Sequence, residues 1–100
     1  MTTKTTHGYE LHEPNEFHPY PSIYCRDDKN ALLDIREYLA TNKTPLEVNN
    51  SYDTFYGCAW GKWLVEGTKD IATAKVTRYW DAWGDCRPYP STIVLTPKNA

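Results

Sequence analysis

One hundred residues, with 40% hydrophobic and 24% charged side chains, make one globular domain and exclude wholesale disorder. No run approaches the roughly 18 apolar residues that a membrane span requires. The formal net charge of −2 is spread along the chain, which speaks against both the basic footprint of a broad nucleic-acid binder and the dense acidity of a DNA mimic.

In chain order, residues 1–21 read as an extended, irregular N-terminal arm. Pro14, Pro19 and Pro21 remove backbone donors and restrict the residues before them. Tyr9, Leu11, Phe17 and Tyr20 are available to pin this arm to a folded body over residues 22–96. Ser22 to Cys25 reads as a short strand. A helix follows from about Asp28 to Thr41, with Asp27 or Asp28 placed to cap its first turn. Ala31, Leu32, Ile35, Tyr38 and Leu39 share one face at 3.6-residue spacing, while Leu33 falls on the charged face. Asn42 suits the left-handed position after the helix, and Pro45 stops continuation.

Residues 52–83 carry two readings. Tyr52, Phe55, Tyr56, Ala59, Trp60, Trp63 and Leu64 fall on one helical face. Thr54–Val65 and Ile71–Trp80 also read as a hairpin about the polar turn Glu66-Gly67-Thr68-Lys69-Asp70. Glycine in a helix interior costs about 1 kcal/mol relative to alanine, and Gly57 and Gly61 lie there among residues that favour sheets. The hairpin is therefore the preferred expectation. Asp81–Ser91 reads as an irregular loop, and Thr92–Leu95 as a strand closed by Pro97. The expected architecture is α+β: one α-helix on a small antiparallel sheet, in β-α-β-β-β order.

No cofactor or catalytic motif emerges. The five glycines form neither G-x-G-x-x-G nor a Walker loop. His7, His12, His18 and Cys25 lack the fixed spacing of a metal site. Cys25, Cys58 and Cys86 do not form a disulfide framework, and no apolar leader core begins the sequence, so free thiols in a cytoplasmic setting are expected. Cys25 beside Asp27 and Asp28 makes a poor nucleophile, because negative neighbours oppose the thiolate. Asp81 and Asp85 are paired carboxylates near aromatic rings, a spacing common in loops.

Aromatic residues carry the functional lead. The chain holds 8 Tyr, 4 Trp and 2 Phe, and nine of these fourteen rings lie after residue 51. Each large ring buries roughly 150–250 Å², more than a core of this size absorbs from all of them. Tyr, Trp and Arg are also the residues most enriched in binding hot spots. The expected surface comprises Arg78, Tyr79, Trp80, Asp81, Trp83 and Arg87. The first functional expectation is a non-catalytic protein-binding module with a protein partner. Its profile is that of small phage- or mobile-element-encoded inhibitors that block a host enzyme or defence complex. The alternatives are a single-stranded nucleic-acid-binding domain, with rings stacking bases beside Lys62, Lys69, Lys75, Arg78 and Arg87, and a small ribonuclease-like enzyme in which a histidine folds back near Arg or Lys. A hairpin edge left unpaired also offers a route to strand addition.

Overall fold

The helix read from Ala31, Ile35 and Leu39 is α1 (Lys29–Asn42) in a computed structural model that describes residues 2–51, 57–81 and 88–98. Asp28 caps it, its carboxylate accepting the Asn30 N–H at 2.7 Å. The left-handed residue is Lys43 (φ 55°), not Asn42, because the helix runs one residue further than its apolar stripe. The Lys43 N–H then donates to the Leu39 carbonyl at 3.2 Å, and the Asn42 amide to the Tyr38 carbonyl, also at 3.2 Å. Leu33 is exposed, as its place on the charged face implies.

The strands are β1 (Thr2–Lys4), β2 (Glu10–His12), β3 (Ser22–Cys25), β4 (Leu46–Asn50), β5 (Ala72–Asp81) and β6 (Pro88–Pro97), with a second helix, α2 (Gly57–Thr68), between β4 and β5. They form one sheet in the order β1-β2-β3-β4-β6-β5. All neighbours are antiparallel except β3 and β4, which are parallel across the α1 crossover. The α+β class is as expected. The β-α-β-β-β order, the single helix and the purely antiparallel sheet are not.

Four corrections have physical causes. First, the irregular arm is partly sheet. The prolines begin only at Pro14, so Thr2–Lys4 and Glu10–His12 are free to pair about a turn in which Gly8 takes φ +100°. Tyr9 and Leu11 pack against the core, whereas Phe17 and Tyr20 remain exposed. Second, the first hairpin strand is instead α2; Tyr52, Phe55 and Tyr56 lie outside the described residues. Trp60, Leu64 and Thr68 form its buried stripe. Glycine is tolerated because neighbours come close. A Cβ on Gly61 would stand 2.9 Å from Pro90 Cγ, and one on Gly67 2.8 Å from a Leu32 methyl. Third, Leu46–Asn50 is a strand that the reading did not anticipate. Fourth, β6 begins at Pro88 inside the expected loop. Its pairing with β4 reaches only Thr92, so Pro88 and Pro90 lie where β6 pairs on one side alone, with β5, a position that tolerates proline better than a doubly paired strand. Residues 82–87 lie outside the described set.

Both helices share one core with one face of the sheet. Ile23, Cys25, Leu46, Val48, Ile93 and Leu95 from the strands meet Ala31, Ile35 and Leu39 of α1 and Trp60 and Leu64 of α2. Arg36 ties the helices together, donating to the Gly67 carbonyl at 2.8 Å and, through both terminal nitrogens, to the Asp70 carboxylate at 2.8 and 2.9 Å. The guanidinium holds Asp70 down to about 2. Among the described residues the opposite sheet face carries no helix.

Candidate functional site

Residues alternate sides along a strand, so Leu46 and Val48 of β4 enter the core while Glu47 and Asn49 point to the helix-free face. Register brings two polar rows together there. Ser22, Glu47, Val94 and Lys75 form one, and Tyr24, Asn49, Thr92 and Arg78 the other. Glu47 is only 6% exposed. A buried carboxylate is costly unless paired and hydrogen-bonded. Its Oε2 receives Asn49 Nδ2 at 3.2 Å and lies 2.5 Å from His18 Nδ1. The Thr92 hydroxyl in turn donates to Asn49 Oδ1 at 2.8 Å. A continuous chain from His18 to Thr92 therefore spans the centre of the face.

An Asx turn positions His18. The Asn15 side-chain oxygen accepts the N–H groups of Phe17 (2.8 Å) and His18 (3.0 Å). The same turn leaves Phe17 75% exposed. His12 packs edge-on against Tyr24, with ring centroids 5.7 Å apart.

The second polar row opens into a shallow groove of about 250 Å³, lined by Tyr24, Asn49, Arg78, Trp80, Ser91 and Thr92, with Tyr79 at its margin. Trp80 stacks on Tyr89 at 6.3 Å. Trp80 is half-buried, Tyr24 is 47% exposed and Tyr79 is 59% exposed. A pairing irregularity between Val76 and Tyr79 shifts the β5 register just before the ring pair. Among the described residues neither Lys75 nor Arg78 has an ion-pair partner.

Of the expected surface, the structure brings Arg78, Tyr79 and Trp80 together. Asp81 closes β5 with only its backbone described, and Trp83 and Arg87 lie outside the described residues, as do Asp85 and Cys86. The sequence reading missed Tyr24, Asn49 and Thr92, which reach the groove from three other strands. It also missed the Glu47–His18 pair.

The remaining titratable groups have structural surroundings. His7 lies with Asp34 Oδ1 2.6 Å from its Nδ1, and His18 folds back onto a carboxylate rather than onto Arg or Lys. Burial pushes the Cys25 thiol up to about 12, with a small opposing effect from the Trp60 indole. The Trp60 Nε1–H itself has no hydrogen bond of ordinary geometry among the described residues, the Cys25 sulfur being a weak acceptor. Burial and the 2.6 Å hydrogen bond to Asp28 push Tyr9 up to about 12. Among the described residues no three His, Cys, Asp or Glu side chains cluster to hold a metal ion. What the helix-free face offers is a ring-rich contact with a polar floor and two cations that have no ion-pair partner among the described residues. No family model, curated protein or solved structure matches the chain.

Proposed function

We propose that the chain is a non-catalytic protein-binding module and that its contact surface is the helix-free face of the sheet. One observation carries the reading: Tyr24 of β3 lines one groove with Arg78 and Trp80 of β5, distant from it in the sequence, beside the exposed Tyr79. Rings with a polar handle and an unpaired guanidinium are the usual anchors of protein interfaces. The partner has an acidic surface, which complements Lys75 and Arg78. The two cations without an ion-pair partner among the described residues of this face, Lys75 and Arg78, are few for a nucleic-acid backbone, which favours a protein over a single strand. Small size and a flat surface suit an inhibitor of the kind that phages and mobile elements encode, blocking a host enzyme or defence complex by covering it. The free, buried Cys25 accords with a cytoplasmic setting. Among the described residues no helix is long and apolar enough to cross a membrane.

The test is affinity capture followed by reconstitution with the purified partner. Tyr24→Ala and Trp80→Ala should each weaken binding at least tenfold, about 1.4 kcal/mol, with the far-ultraviolet spectrum unchanged. Hydrogen exchange should show a footprint at residues 24, 49, 78–80 and 91–92. Full affinity in both variants would refute the reading.

A further inference from the structure

We infer that the partner presents an acidic, extended segment that adds as a strand to the free edge of β5, its carboxylates meeting Lys75 and Arg78. The inference rests on the binding reading above and specifies the chemistry of what is bound.

The sheet ends at β5, and no described strand lies beyond its ten residues. An edge of that length presents a row of backbone donors and acceptors, a template for another strand. Its exposed side chains are Thr73, Lys75, Thr77, Arg78 and Tyr79. Within 72–80 the charged residues are both cations, although the chain as a whole carries −2. Register puts Lys75 and Arg78 on the helix-free face, in the rows of Glu47 and Asn49. Glu47 is already engaged by His18 and Asn49, so neither cation has an ion-pair partner among the described residues. A strand laid along this edge sets alternate side chains beside those two cations, where carboxylates fit. Tyr79, 59% exposed, is left to cover the end of the segment.

A second copy of the chain is the wrong occupant. Two β5 strands paired about a two-fold axis at the strand centre, between Lys75 and Arg78, would set these cations against those of the other copy, and like charges directly opposite are destabilising. That repulsion guards against self-association and leaves an oppositely charged strand admissible.

The experiment uses the full chain and a short labelled peptide alternating valine and glutamate, followed by fluorescence anisotropy. Binding is expected, weakening as salt is raised, with the amides of 72–81 gaining protection from hydrogen exchange. Lys75→Glu and Arg78→Glu, both at exposed positions, should each lower affinity roughly tenfold. The same peptide N-methylated at alternate amides should not bind, because it cannot complete the ladder. The inference is overturned if the peptide does not bind. It is equally overturned if the N-methylated or a lysine-for-glutamate peptide binds as well, or if the chain alone sediments as a dimer with the β5 amides protected. A captured partner whose footprint covers Tyr24 and Trp80 but spares the β5 edge would overturn this inference and leave the binding reading standing. Loss of the Tyr24 and Trp80 effect would overturn both.

Discussion

Replacing Asp34 should detach the N-terminal hairpin from the rest of the molecule. Asp34 sits on α1 and is 1% exposed. Its Oδ1 lies 2.6 Å from both the His7 N–H and His7 Nδ1, and its Oδ2 accepts the Tyr9 N–H at 3.1 Å. One carboxylate thus organises the turn that joins β1 to β2. Burial alone would raise its pKa, but the hydrogen bonds from Thr5, Tyr9 and His7 outweigh burial and hold it below the ordinary carboxylate range. Hydrogen bonds to a charged group contribute roughly 1.5–3 kcal/mol each. The four here, one from Thr5, one from Tyr9 and two from His7, are not additive, since the freed amides lie near solvent and regain water. Asp34→Asn should therefore cost about 3 kcal/mol. In a 100-residue domain each kcal/mol moves Tm by about 4–8 °C, so calorimetry should show a fall of about 15 °C at neutral pH. Hydrogen exchange should locate the loss at Tyr9 and Leu11. The pH dependence has a definite sign. A carboxylate with a lowered folded-state pKa stabilises fully above its unfolded value, about 3.9, and that contribution disappears as pH falls through the folded value. The gap between wild type and Asp34→Asn should hold from neutral pH to about pH 5 and close in stronger acid. A gap under 1 kcal/mol at pH 7, or one that does not change with pH, would refute the anchoring role.

Two further outcomes follow from packing and burial. Gly61→Ala gains about 1 kcal/mol of helix propensity but drives a methyl into the Pro90 ring, 2.9 Å from Cγ and 3.2 Å from Cβ, an overpacking cost of about 1–3 kcal/mol. Urea denaturation should show net destabilisation. Gly67→Ala meets only the flexible ends of Leu32 and should be near neutral; the reverse ranking would be evidence against the α2 packing described. Cys25, buried and with its thiol pushed up to about 12, should resist alkylation at pH 8 until urea is added, as read by peptide mass spectrometry. Modification in the native state would contradict that burial.

The elements legible in the sequence were those set by local rules. Asp28 as a cap, the 3.6-residue stripe and Pro45 identify α1, and the apolar run Thr92–Leu95 identifies the central part of β6. The second helix is not legible because glycine propensity takes no account of what packs against the glycine. Gly61 fits under Pro90 and Gly67 under Leu32, contacts across about thirty residues that no local rule contains. In β4 a signal was present, since Leu46-Glu47-Val48-Asn49 alternates apolar and polar, but Glu and Asn are poor strand formers and mask it. The candidate site divides in the same way. Arg78, Tyr79 and Trp80 stand together in the sequence as an aromatic cluster with a cation. Tyr24, Asn49 and Thr92 join them only through sheet register. Phe17, expected to pin the arm, instead stands out from an Asx turn because Asn15 binds the backbone there and directs the ring to solvent.

Successive residues of β4 do unlike work. Val48 is sealed in the core, while Glu47 and Asn49 on either side of it face away. A substitution at Val48 is felt as melting temperature. A substitution at Asn49 is felt first in the floor of the groove, through Thr92. The helix-free face can therefore change its chemistry without the hydrophobic interior having to follow.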